Sequence, residues 1–380
     1  MILQRPEWGG EHAEDIWSLY YFLLYQVLPF EPRDYLPKDE QGYYYYCNGN
    51  CHSPRIYPQH PCNTVDDPPY KIIKPISAEL CNYLFDNTGT TKRQHLRELL
   101  TTPTDENTIH LKHLDFALTS PTAKIRAQSK AWRPVLNKVF NYSSFSTHAL
   151  FPKLIQSLGV DVCPYCNRSF TTTAKKNGES YHRQNQVDHY ISKSTHPWFA
   201  LSLLNLIPCC GSCNQKKGAS SNFVLYPYFE EFGLLYRFRS KPISSLGYLT
   251  GGRSTESDFH LVIEQVSGTV PETGYKKRVE NSINEFGLDI LYKESHNAFV
   301  SKIFEQRFLI SNAYLDSLCC SFPDYFTSHE DVRSMLYLRS INTDKLGESP
   351  LAKLAHDIEW EIDDLNVFYS NFAPLEIRTF

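Results

Sequence analysis

Apolar residues recur at helical spacing over 11–28, where Ile16, Leu19, Tyr20, Leu23, Leu24 and Val27 share a face. That periodicity predicts an amphipathic helix. The pattern breaks over 29–75, where Pro54, Pro58, Pro61, Pro68, Pro69 and Pro75 interrupt any long element. It returns over 77–101, with Leu80, Leu84, Leu96, Leu99 and Leu100 at positions expected to be buried. Val224–Phe229 and Phe259–Val266 have the composition of short strands, separated by a Gly/Ser-rich loop near 244–257. From about residue 275 the pattern is helical to the end. Phe299, Val300, Ile303, Phe304 and Phe308 predict one long amphipathic helix. The final helix, 351–369, carries Asp357, Glu359, Glu361, Asp363 and Asp364 against Lys353, the pattern of a solvated or partner-facing surface.

Length and charge narrow the classes. At 380 residues the chain has room for two or three domains and a sizeable core. No run approaches the ~18 apolar residues of a membrane span. The opening MILQRPEWGGEHAED lacks the basic-then-apolar pattern of a signal peptide, so a cytoplasmic protein is expected. A formal net charge of −4 means that any nucleic-acid binding must come from a local patch. One candidate is the stretch from Phe116 to Val160, which has no Asp or Glu but contains Lys124, Arg126, Lys130, Arg133, Lys138 and Lys153. A helix over 122–140 would present several of these, either as a solvated face or as a phosphate-tracking surface.

The 11 cysteines are an odd number and are clustered. Without secretion, clustered cysteines point to metal ligands or buried thiols rather than disulfides. Cys163-Pro-Tyr-Cys166 and Cys210-Gly-Ser-Cys213 are two C-x2-C knuckles. Each lets two thiolates from one tight turn reach one ion, and four make a closed tetrahedral zinc shell. Cys209 breaks this spacing and is left out. Between and beside the knuckles lie Asp188-His189, Asn205, Asn214, Lys216 and Lys217. From Cys163 to Asn222 seven Lys/Arg, including Arg168 and Lys193, stand against two acids.

This segment resembles an HNH endonuclease of the ββα-metal family, in the subgroup stapled by two CxxC knuckles. The resemblance rests on about 60 residues. It implies that Asp188-His189 ends the first strand, that Asn205 lies between the strands, and that Asn214 opens the helix. It implies a divalent ion, Mg²⁺ or Mn²⁺, held by Asp188 and Asn214, with zinc on Cys163, Cys166, Cys210 and Cys213. His189 is then the general base and Asn205 braces the loop whose backbone carbonyl orients its ring. Lys217 or Lys216, with Arg168 and Lys193, would contact phosphates. The runs 200–210 and 222–229 are similar to the HNH partner proteins of antiphage defence systems such as Septu and some retrons. That likeness implies a DNA-cutting effector that works with an ABC/SMC-like ATPase. An HNH fold acting on RNA, and a zinc-stapled scaffold with an inactive site, remain as alternatives.

The fold class expected is α+β, with mainly helical flanks around a small ββα-metal core. The segments are 1–115, 116–160, 161–232 and 233–380. Cys47, Cys51, His52, His60 and Cys62 have the donors for a second zinc site, although ordinary thiols and surface histidines fit the loose spacing equally. Cys81, Cys319 and Cys320 are read as core thiols.

Overall fold

The computed structural model describes residues 13–30, 68–101, 136–176, 180–220, 222–233, 235–243, 258–266 and 273–372. It is a mixed architecture of helices and three short antiparallel strand pairs, which is α+β. The described residues divide into two compact units: one holds residues 13–160 and 171–220, the other 161–170 and 222–372.

The first unit opens with helix α1 (Ala13–Val27), whose Ile16, Tyr20, Leu23 and Leu24 are buried. The Tyr20 hydroxyl donates to the carbonyls of Leu100 (3.0 Å) and Leu201 (2.9 Å), so the one polar atom of a fully buried ring is satisfied. The stretch expected as one helical pattern over 77–101 is two helices. After α2 (Pro69–Ile73) come α3 (Ala78–Leu84) and α4 (Arg93–Thr101). Asp86 separates them by accepting from the backbone N–H groups of Thr88 and Thr90, with Gly89 at φ +84° completing the turn. Leu80, Leu84, Leu96, Leu99 and Leu100 are all buried, as their spacing predicts.

Helices α5 (Tyr142–Thr147) and α6 (Phe151–Ser157) follow. Of the 122–140 helix expected from the sequence, residues 136–139 are helical and 122–135 lie outside the described residues. A hairpin pairs β1 (Thr173–Lys176) with β2 (Ser180–Arg183). Then β3 (Gln186–His189) pairs antiparallel with β4 (Leu206–Cys209), and α7 (Gly211–Lys217) packs on β3.

The second unit pairs β5 (Tyr236–Pro242) with β6 (Phe259–Gln265). Six helices follow: α8 (Thr273–Phe286), α9 (Leu288–Ser295), α10 (Asn297–Leu309), α11 (Asn312–Ser321), α12 (His329–Tyr337) and α13 (Ala352–Phe372). β6 agrees with the expected strand. Val224–Phe229 does not: it is irregular, buried over 224–228 and exposed at Phe229; Leu225 N–H donates to Ser282 Oγ, and the preceding Phe223 carbonyl accepts from Asn281. Backbone groups here bond to α8 side chains and to Glu230 instead of a ladder. The loop 244–257 lies outside the described residues. On α10, Val300, Ile303 and Phe304 are buried as predicted, but Phe308 is exposed. Cys81 is buried, whereas Cys319 is only half-buried and Cys320 exposed, so those two are not core thiols.

The acidic surface expected on the last helix is the largest departure. Asp357, Glu359 and Glu361 on α13 are buried. Asp357 Oδ2 accepts from Phe238 N–H (2.9 Å) and its carboxylate is paired with Lys353 (2.6 Å). Glu361 accepts from Ser240 N–H (3.0 Å) and Ser240 Oγ (2.9 Å). These carboxylates satisfy backbone donors of β5 that β6 leaves unpaired, which a buried sheet edge requires. Glu359 meets the Tyr337 hydroxyl, Arg307 and Arg333.

Candidate active site

The strands and helix of the β3–β4–α7 unit place the candidate residues. The register sets Asp188 opposite Ile207 and His189 opposite Leu206, so the Asp-His pair ends β3. Sixteen residues separate His189 from β4, and the loop they form is held by Asn205. Asn205 Oδ1 accepts from Ile191 N–H (2.7 Å). Its Nδ2 donates to the carbonyls of Ile191 (3.0 Å) and Phe199 (3.0 Å). Fully buried, the carboxamide stands in for a strand partner at both ends of the loop.

The carbonyl next to Phe199 belongs to Ala200, and His189 Nε2 lies 3.1 Å from its oxygen. A carbonyl can only accept, so Nε2 carries the proton and Nδ1 keeps its lone pair. Burial, with Lys193 and Lys217 nearby, holds the imidazole well below its ordinary pKa, to about 3, so it is neutral at pH 7. Tyr142 of α5 meets this ring edge-to-face at 4.4 Å, and the Lys193 ammonium sits 4.1 Å from the Tyr142 centroid. Burial raises the Tyr142 hydroxyl's pKa, which keeps it protonated.

Asp188 is 3% exposed and sits beside Lys217, also 3% exposed. The Lys217 ammonium donates to Asp188 Oδ1 (3.1 Å) and to the His189 carbonyl (2.9 Å), and lies 2.9 Å from Oδ2. Lys217 is therefore an internal counter-ion tying the end of α7 to the end of β3. This corrects its expected role as a phosphate contact, because the side chain is consumed by β3. Lys216, one position earlier, is exposed. Asn214 Nδ2 donates to Gln186 Oε1 (2.7 Å), which leaves its Oδ1 as an acceptor for a hard cation. Gly211 allows that arrangement: a Cβ there would meet Gln186 Nε2 at 3.3 Å.

Among the described residues, Cys163, Cys166, Cys210 and Cys213 form a group whose Sγ atoms all lie within 4.8 Å of one another. A Zn–S bond of about 2.3 Å places tetrahedral sulfurs about 3.8 Å apart, so the group fits a zinc ion. Cys210 Sγ also caps α7, accepting from Cys213 N–H at 3.4 Å. The other knuckle turns through Asn167 at φ +50°, with Asn167 N–H donating to the Cys163 carbonyl (2.8 Å). Cys209 lies outside the group, and burial pushes its thiol up.

Residues 163–220 match the HNH endonuclease family. The match spans both knuckles, the Asp-His pair, Asn205 and Asn214, and makes this segment an HNH endonuclease domain with four cysteines suited to a metal ion. No curated protein and no solved structure matches the chain. Tyr142 lies outside the HNH segment and was missed by the sequence reading, since only the tertiary packing of α5 brings it to His189. Gln186 was missed because a lone glutamine carries no spacing signal. Arg168 donates through Nε to His296 Nε2 (2.8 Å). Lys193 is exposed and lies beside His189 through Tyr142. The candidate second zinc cluster of Cys47, Cys51, His52, His60 and Cys62 lies outside the described residues. No helix among the described residues is long and apolar enough to cross a membrane.

Proposed function

We propose that the HNH domain hydrolyses phosphodiester bonds in DNA with His189 as general base. The observation that carries this reading is the His189–Ala200 contact, which gives a neutral imidazole whose Nδ1 is unprotonated. In the reaction, Nδ1 removes a proton from water, the water oxygen bonds to phosphorus, the P–O bond to the leaving oxygen breaks, and that oxygen is protonated from solvent. Asp188 and Asn214 supply hard oxygen donors suited to Mg²⁺ or Mn²⁺. Such an ion acts as a Lewis acid and neutralises charge on the phosphate. Lys217 pairs with the Asp188 carboxylate and fixes its orientation in a buried setting. Tyr142 limits the swing of the imidazole. Lys193 and Lys216 are the exposed cations near the site that suit flanking phosphates. Zinc on the four cysteines has no open position and serves structure.

The choice of DNA follows the HNH resemblance; the local excess of basic residues suits DNA and RNA alike. A role as the nuclease effector of an antiphage system, with an ABC/SMC-like ATPase as partner, rests on the similarity of runs 200–210 and 222–229. The test is cleavage of plasmid, oligonucleotide and RNA by purified wild type and His189→Ala, with Mg²⁺ or Mn²⁺, alone and with a genome-neighbour ATPase. Cleavage lost in His189→Ala supports the assignment, and cleavage that survives removes His189 as base. Cleavage of RNA alone moves the substrate class. A wild type inert under every condition leaves the scaffold reading.

A further inference from the structure

Arg168, His296 and Arg339 form a cluster in the second unit that the catalytic reading does not use. Arg168 Nε donates to His296 Nε2 at 2.8 Å, so this imidazole is neutral with its proton on Nδ1. Arg339 is anchored separately. Its Nε donates to the Pro350 carbonyl (2.8 Å), its Nη1 to the Tyr337 carbonyl (3.1 Å), and its guanidinium carbon lies 4.6 Å from the Phe299 centroid. All three side chains are half-buried. Arg168 bonds the imidazole directly, and Arg339 lies over Phe299, three residues after His296 at the start of α10; burial first, then the charges of both arginines, hold His296 down to about 4.

Every acceptor here is neutral. Among the described residues neither arginine has a carboxylate partner. Three other arginines of the same unit do: Arg278 pairs with Glu230, Arg307 with Glu359 and Asp363, Arg333 with Glu359. Two guanidiniums at the start of α10, partly desolvated and without a carboxylate partner among the described residues, cost free energy that an anion relieves. Their anchoring holds the forks in place while leaving both Nη groups of Arg168 and Nη2 of Arg339 unengaged by described residues. Planar, pre-oriented N–H groups of this kind suit phosphate oxygens.

We propose that Arg168, His296 and Arg339 form a phosphate-binding subsite that holds the sugar–phosphate backbone of the substrate strand. The choice of a phosphodiester ligand rests on the nuclease reading above. His296 is the positioning residue, since it fixes Arg168 through Nε, and the two arginines are the contacts.

The test uses the full chain and its Arg168→Ala, Arg339→Ala and Arg339→Lys variants. Binding of labelled duplex DNA, single-stranded DNA and RNA is followed by fluorescence anisotropy across a salt series, without added divalent ion. Removing one phosphate contact lowers the slope of log K against log[salt] by about 0.9 on duplex or about 0.7 on a single strand. Arg339→Lys is expected to retain most of that slope, because it keeps the charge. Melting temperature and zinc content are measured alongside. If Arg168→Ala fails to fold, being two residues from Cys166, Arg339→Ala carries the result. Unchanged slopes in folded variants, while wild type binds and cleaves, overturn the subsite and leave the nuclease reading standing. Slopes that change for competing orthophosphate but not for any nucleic acid also overturn it. A wild type that neither binds nor cleaves nucleic acid removes the nuclease reading, and the subsite with it.

Discussion

His189 Nε2 lies 3.1 Å from the carbonyl oxygen of Ala200, and that contact decides which imidazole nitrogen keeps its lone pair. The carbonyl is in place because Asn205, through Ile191 and Phe199, holds the loop that carries it. His189→Ala is expected to lower cleavage by about 10²–10⁴-fold, the usual worth of a general base, with a smaller fall in melting temperature than Asn205→Ala. Asn205→Ala is expected to lower both: it strands a buried N–H and two carbonyls, costing about 2–4 kcal/mol, and frees the ring. Thermal melts and cleavage rates on the same preparations separate the two effects. An Asn205→Ala protein as stable and active as wild type would remove the bracing role.

Lys217 and Lys216 are neighbours in sequence with opposite expected phenotypes. Lys217→Met leaves the buried Asp188 carboxylate without its cation and is expected to destabilise by about 3–5 kcal/mol. Lys216→Ala, on the exposed side of α7, is expected to change stability by less than about 0.5 kcal/mol. Chemical denaturation of both variants is the measurement. Equal stabilities would show that the Lys217–Asp188 pair is not formed in solution.

The four-cysteine group predicts one bound zinc that is separate from the catalytic ion. Metal analysis of Cys166→Ala is expected to show one zinc fewer per chain than wild type, with a lowered melting temperature, since zinc binding and folding are coupled. His189→Ala is expected to keep its zinc. Zinc content unchanged in Cys166→Ala would rule out the thiolate site.

Glu361 ties pH to stability in the second unit. Burial, set against its bonds to Ser240, pushes its carboxyl up from 4.5 to about 7. The folded state then holds a proton that the unfolded state has released between those values, so this contribution to stability is present at low pH and lost as pH rises through about 7. Glu361→Gln, which keeps an acceptor for Ser240 N–H, is expected to flatten this slope and to gain at most about 3 kcal/mol at pH 8. Melting temperatures of the two proteins from pH 4 to 8 test it. A difference that does not widen between 4.5 and 7 would show that Glu361 titrates normally.

The primary sequence determined the parts of this protein that depend on local spacing. Two C-x2-C turns present paired thiolates whatever surrounds them, because the spacing itself sets the reach. The Asp188-His189 pair and the two asparagines were legible through the order they share with the HNH family, and the buried leucines of α3 and α4 through their helical spacing. Contacts between distant segments were decided only by tertiary structure. The acids of α13 read as a solvated face, since residue type alone does not say that an unpaired strand edge lies beside them. Lys217 read as a phosphate contact until β3 placed Asp188 against it. Tyr142 had no signal at all, 47 positions before His189, because an edge-to-face contact arises from how α5 packs and leaves no spacing in the chain.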